Sequence, residues 1–329
     1  MSAESDFIAA LRAMPLPSAA RGLRDDAAVL ELGGTKLVLT HDMIVEGIHF
    51  LPDDPPGDVA WKLVAVNLSD LAGKGARPLG ILLGFSLGQD RDWDRAFLKG
   101  LESALHAFGI GLLGGDTVAA PAAAPRFLGM TALGEATGAI PSRSGGRDGD
   151  ILWVSGSIGD AGAGLKLATG QVEASDRASD ELIERYRTPR PRLEAGQALA
   201  PLVSAMMDVS DGLLIDAQRM AAASGVKVVI ALDAVPLSGA YLAVIGDDRA
   251  ARIAAATAGD DYELLFAARH NDAPRIHAIS ERFGLAFTQV GRFTAGSGLE
   301  LRDGESPVAL PPALGFEHER RLSEADPRG

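Results

Sequence analysis

No cysteine occurs among the 329 residues, which excludes disulfides, thiolate nucleophiles and cysteine-ligated zinc. A basic surplus is missing too: 31 Lys and Arg stand against 44 Asp and Glu, a formal charge of −13. That balance opposes a phosphate backbone and no basic cluster interrupts it, so no nucleic-acid partner is expected. Long apolar runs are absent. The longest charge-free stretches, such as Ala195 to Met207, fall short of the roughly 18 residues that suggest a spanning helix. No membrane association is expected. The start, Met1-Ser2-Ala3-Glu4-Ser5-Asp6, carries acids where a secretory signal needs basic residues, so the expected compartment is cytoplasmic. G-x-x-x-x-G-K-[ST] is nowhere found, and no P-loop lysine is available to hold a nucleotide.

What is present is an ordinary globular composition, 47% hydrophobic and 23% charged. The length predicts two domains. Lys36 to Asp42 reads as a strand that Asp42 closes. Asp58 to Gly73 reads as a helix with Val59, Leu63 and Val66 on one stripe. Asn67, Asp70 and Lys74 follow at spacings of three and four, which puts them on one side of its C-terminal end. Leu79 to Leu87 predicts a second strand. Asp92 to Phe108 predicts an amphipathic helix through Trp93, Phe97, Leu101, Leu105 and Phe108. A short strand, Ile110 to Leu113, is expected to end in the turn Gly114-Gly115-Asp116-Thr117, and Phe127 to Gly134 supplies another. Ser142 to Asp150 is the candidate linker. Beyond it, strands are expected at Ile151–Val154, Ala205–Val209, Val226–Leu232 and Tyr262–Ala267. Helices are expected from about Asp160 and over Leu213–Ala223. Gln171 to Asp180 is polar and is expected to be a loop.

The acids sit where chemistry is easiest to reach. Asp25-Asp26 precede an apolar run, Asp42 and Asp70 lie at element ends, Asp116 follows two glycines, and Asp208 and Asp211 bracket Val209-Ser210. Capping and turn formation explain any one of them. Seven such acids converging without a cation would repel and raise one another's pKa. Carboxylates with no thiolate and few histidines suit a hard, oxygen-ligated ion such as magnesium or manganese. Gly114-Gly115 would let backbone N–H groups approach an anion, and acid and phosphate share a site only if a cation bridges them. Gly109 to Gly114 matches G-x-G-x-x-G literally, but it follows a helix and enters a strand. A dinucleotide site needs the reverse order.

Taken in order, several blocks resemble the thiamine-monophosphate kinase family, within the superfamily of aminoimidazole ribonucleotide synthetase and selenophosphate synthetase. They are Asp25-Asp26-Ala27-Ala28-Val29, Thr40 through Phe50, Ala65 through Ala72, and Gly114-Gly115-Asp116-Thr117. Arg143-Ser144-Gly145, Asp208 through Gly212 and Gly259 through Leu264 complete the series. The resemblance implies an α/β (α+β) fold of two domains. Residues 1–141 would form a mixed-sheet dimerisation domain that binds ATP and metal. Residues 142–329 would form an α/β domain completing the nucleotide and substrate sites. It also implies a homodimer joined through the N-terminal halves, and ATP with several Mg2+ ions in a cleft between domains. The implied reaction transfers the terminal phosphoryl group of ATP to thiamine monophosphate, giving thiamine diphosphate.

Carried over position by position, Asp26, Thr40, His41, Asp42, Asp70, Asp116, Asp208 and Asp211 would be metal ligands. Gly115, Asp116, Arg143 and Ser210 would meet ATP, and His49, Asp260 and Phe316 would meet thiamine monophosphate. Asp42, Asp70, Asp116 and Arg143 would carry catalysis. Some positions depart from the family pattern. Arg24 stands for Gly, His41 for a hydroxyl residue, Gly73-Lys74 for small or apolar residues, Ala258 for Gly, and Asp260 for the longer Glu. A superfamily synthetase acting on another acceptor and a catalytically silent nucleotide-binding dimer are the competing expectations.

Overall fold

The computed structural model describes residues 3–121, 124–136, 138–174 and 176–317. A helix, α1 (Ala3–Arg12), and a 3-10 segment (Ser18–Leu23) lead into five strands. These are β1 (Ala28–Leu32), β2 (Thr35–Val45), β3 (Arg77–Leu87), β4 (Gly111–Ala119) and β5 (Phe127–Ala136). They form one mixed sheet in the order β1-β2-β5-β3-β4, with β3 and β4 parallel. Two helices, α2 (Pro56–Gly73) and α3 (Arg91–Phe108), pair with each other, and α2 packs on β2 and β5.

The periodicity of α3 buries Phe97 and Leu101, with Trp93, Leu105 and Phe108 packed partly against the same core. Asp90 caps this helix by accepting from the Asp92 and Trp93 amides, and Gly109 ends it at φ 64°. Gly109-Ile110-Gly111 is thus a helix stop entering a strand, as its order in the chain implies.

The second half is a seven-stranded mixed sheet. It contains β6 (Ile151–Ser155), β7 (Ala205–Val209), β8 (Lys227–Ala231), β9 (Glu263–Ala268), β10 (Phe287–Thr294), β11 (Gly298–Asp303) and β12 (Ser306–Val308), in the order β12-β11-β8-β10-β6-β9-β7. Its helices are α4 (Asp160–Ala168), α5 (Arg177–Arg187), α6 (Leu193–Leu199), α7 (Leu213–Ser224), α8 (Gly239–Val244), α9 (Arg249–Thr257) and α10 (Ala273–Phe283). Every residue of β7 and β9 is buried, because α7 and α9 cover one face while α6 and α10 cover the other. Among the described residues no helix is long and apolar enough to cross a membrane.

Three local expectations change. Asp42 does not close its strand, since β2 continues to Val45. Gly114 and Gly115 lie inside β4 rather than in a turn after it. A Cβ on Gly115 would lie 1.9 Å from the Leu83 carbonyl oxygen, so close strand packing alone demands glycine there. The polar stretch from Gln171 turns helical at Arg177, where Asp176 accepts from the Ser179 amide as N-cap; Ser175 lies outside the described residues.

Candidate active site

The C-terminal end of α2 joins the two halves. Ala72 belongs to the core of the second half, and Tyr262 from the second half belongs to the core of the first. Gly73 permits this contact, because a Cβ there would lie 3.3 Å from the Asp208 amide and the Met207 backbone. Acids from three different elements converge at this junction. One oxygen each from Asp26, Asp70 and Asp208 lie within 4.8 Å of one another. They open into a cleft of about 650 Å³, also lined by Asp42, His49, Arg143, Ser210, Asp211, Asp260 and Phe316.

Strand alternation decides which residues of β2 take part. Thr40 and Asp42 face α2. The Thr40 hydroxyl contacts Asp70 and lies 3.3 Å from the Asp26 carbonyl. Asn67 Oδ1 accepts from the Asp42 amide at 3.0 Å while its Nδ2 donates to the Leu63 carbonyl at 2.9 Å, which ties strand to helix. His41 points the other way. It is exposed, with Nδ1 2.9 Å from the Thr131 hydroxyl, so it is not brought to the acids as expected of a metal ligand.

Gly115 and Asp116 are not brought there either. Asp42, Met130, Leu83 and Gly115 are successive partners across β2, β5, β3 and β4. Three strand spacings of about 4.8 Å put β4 roughly 14 Å from β2. Asp116 is exposed, and its Oδ1 accepts from the Thr117 amide at 2.9 Å.

The electrostatics follow from burial and crowding. Asp70 is pushed well above its ordinary 3.8 by burial and then by Asp42, Asp208 and Asp26. Burial, Asp26 and Asp211 raise Asp42 to about 6. Burial and then Asp26 raise Asp208 to about 7. Asp26 moves the other way. Burial would raise it, but the Lys74 and Arg143 charges outweigh burial and hold it at about 2. Arg143 Nε donates to Asp26 Oδ1 at 2.6 Å, which brings the linker arginine into the cleft. An all-oxygen donor set whose acids resist ionising together fits a hard divalent cation.

Two positioning residues escape a sequence reading. Asp216, in the first turn of α7, is fully buried. Its Oδ2 accepts from the Ser210 and Asp211 amides at 3.2 and 3.0 Å, fixing that turn. Its place early in a helix was the available signal. Lys62 is the other. Buried inside α2, it donates to Asp260 Oδ2 at 2.7 Å and to the His49 carbonyl at 2.9 Å, with Nζ 4.1 Å from the Tyr186 ring centroid. Asp260 also accepts from the Tyr262 hydroxyl at 3.1 Å.

Asp260 and Tyr262 hold φ values of 70° and 50°, uncommon for residues with side chains. Their amides donate to the Ser210 and Val209 carbonyls, each at 2.8 Å, which holds this backbone in place. His49 Nδ1 accepts from the Val45 amide at 3.1 Å, leaving the proton of a neutral ring on Nε2. Phe316 lines the cleft with 44% of its surface exposed, and its amide donates to the Asp211 carbonyl at 2.9 Å.

Residues 24–136 match the AIR synthase related protein N-terminal domain, and 147–304 match the corresponding C-terminal domain. Thiamine-monophosphate kinase of Caulobacter vibrioides is 39% identical over 303 residues, covering 90% of this chain and 84% of that protein. The chain belongs to the thiamine-monophosphate kinase family. Among solved structures, the family's Stenotrophomonas maltophilia member is 36% identical with a TM-score of 0.76, over 90% of this chain and 94% of that one. Another, AaThiL complexed with AMPPCP and TMP, is 29% identical with a TM-score of 0.77, over 92% and 99%.

Proposed function

We propose that this chain transfers the terminal phosphoryl group of ATP to thiamine monophosphate, forming thiamine diphosphate in the cytosol. The carrying observation is a single cleft holding an acid cluster with Arg143 and, beside them, His49, Asp260 and Phe316. Asp26, Asp42, Asp70 and Asp208, with Asp211 beside them, would hold magnesium ions, which neutralise polyphosphate charge when bound. Arg143 binds nucleotide phosphate, and the Ser210 turn, fixed by Asp216, orients it. The acceptor is already a phosphate, so no residue need remove a proton from it. Phe316 offers a face to the cationic thiazolium. We put the domain boundary at 141/142, a reading that the stretch without regular structure between the two sheets supports. Incubation with ATP and thiamine monophosphate should yield thiamine diphosphate, read by the fluorescence of its oxidised form. ATP binding without turnover would leave a silent nucleotide-binding protein.

A homodimer joined through β4 belongs to the same proposal. Every residue of β4 is exposed, and among the described residues the strand has no neighbour on its outer edge. Leu112 (52%), Leu113 (58%) and Val118 (46%) lie bare on it, and Leu82 is exposed on the adjacent strand. A long apolar edge of this kind is a pairing surface. Light scattering should give about twice the 34.1 kDa chain mass; a monomer at micromolar concentration would refute the dimer.

The raised acids set a pH dependence. Between about pH 4 and 7 the folded, metal-free chain keeps protons on Asp42 and Asp208 that the unfolded chain has released. The folded state therefore binds more protons, and stability falls as pH rises through that window. Asp26 acts oppositely, but only below 3.8. EDTA-treated protein should melt lower at pH 8 than at pH 5, and Mg2+ should raise Tm more at pH 8. The reverse order would show that these acids do not crowd one another.

Acceptor choice should rest on Phe316 more than on Asp260, whose charge Lys62 already neutralises. Phe316→Ala should raise the KM for thiamine monophosphate by roughly two- to fivefold, the worth of an exposed cation–π contact, with the KM for ATP nearly unchanged. Asp260→Asn should raise it less. Unchanged acceptor KM in both variants would move the acceptor site elsewhere.

A further inference from the structure

Besides Arg143, the chain places a buried lysine against the acid cluster. Lys74 follows the last residue of α2, four positions after Asp70, and its side chain is fully buried. Nζ lies 2.6 Å from Asp25 Oδ1 and 3.3 Å from the Met206 carbonyl oxygen, and it contacts Asp26 Oδ2. Three acceptors surround an ammonium with three N–H bonds, so its donors are saturated. The two carboxylates are 1% and 3% exposed, and water cannot stand in for the lysine.

Asp26 is also one of the three acids whose oxygens lie within 4.8 Å of one another. The ion pairs of Lys74 and Arg143 go to Asp25 and Asp26, not to Asp42, Asp70 or Asp208. The cluster therefore has two sides, one paired with the protein's own cations and one that those cations do not reach.

We infer that Lys74 is a resident counter-cation. It fills the place between Asp25 and Asp26 that a divalent ion would otherwise take, so that metal gathers where Asp26 meets Asp42, Asp70 and Asp208. The fixed ammonium also keeps Asp26 in position when no metal is bound. A neutral side chain of similar length would strip the cation from the three oxygens that converge on Nζ, those of Asp25, Asp26 and the Met206 carbonyl, and a divalent ion would be drawn to them.

This inference rests on the cluster being a divalent-cation site, and one titration separates the two ideas. Free Mn2+ is followed by electron paramagnetic resonance as it is added to the full-length wild type, to Lys74→Met, and to Asp25→Asn/Lys74→Met. The double variant removes one acid with the lysine and stays foldable if Lys74→Met does not. Each variant should bind one more Mn2+ per chain than the wild type. Metal-free Tm should fall in Lys74→Met and recover with Mn2+ by more than the wild type gains. A lysine that merely fills space would lower Tm without changing the number of ions bound. Equal stoichiometry in wild type and both variants overturns the role of Lys74. A wild type that binds no Mn2+ overturns the divalent-cation site itself.

Discussion

Asp70→Asn is expected to lower turnover about a thousandfold while the protein remains folded, and Asp42→Asn and Asp208→Asn should behave alike. An amide keeps the shape and still accepts a hydrogen bond, so the Thr40 contact to position 70 survives. What disappears is the charge that holds a cation. Metal-assisted charge stabilisation in a transition state is worth several kcal/mol, and about 4 kcal/mol corresponds to about a thousandfold. Stability should move in the opposite sense. Asp70, Asp42 and Asp208 are ionised at the expense of burial and of one another, so neutralising one should hold or raise the metal-free Tm. Activity and melting together decide the matter. Near-normal activity in all three variants would dismiss the metal cluster, whereas collapse of the metal-free Tm would trace the lost activity to unfolding.

Much of this site was legible because its acids sit at motif positions whose local structure the sequence dictates. The stripe of α2 and the strand β7 were readable to within two residues, and they carry Asp70 and Asp208. Side-chain direction was less well used. The twofold alternation that brings Thr40 and Asp42 together already implied that His41 faces away, and the structure places it on Thr131. The pairing of the buried lysines was not legible. Spacing put Lys74 on the Asp70 side of α2 and Lys62 looks like an ordinary polar position, but their partners Asp26 and Asp260 lie 48 and 198 residues away in the chain. Only tertiary structure reveals that a charge inside an apolar layer is paired. Gly115 is ambiguous for a different reason. Glycine serves both for anion approach and for close strand packing, and Leu83 supplies the second cause without reference to a ligand.

Asp116 yields the second large effect, and it requires two chains. Roughly 14 Å of sheet separates it from Asp42 within one protomer, too far for one ion with metal–oxygen bonds of about 2.1 Å. It lies instead on the bare strand β4, the proposed dimer edge. If each cleft takes Asp42 from one chain and Asp116 from its partner, Asp42→Asn and Asp116→Asn homodimers should both be inactive. Mixing them under conditions that exchange subunits should restore activity. Half of the random dimers are then mixed, and each mixed dimer holds one intact cleft and one doubly defective one. The mixture should therefore reach roughly a quarter of wild-type activity. Asp42→Asn mixed with Asp70→Asn is the control. Those residues share a cleft within one chain, so each cleft of the mixed dimer keeps one defect and activity should stay absent. A mixture of Asp42→Asn and Asp116→Asn as inactive as its parents, with exchange verified by mass, would show that Asp116 does not act across the dimer.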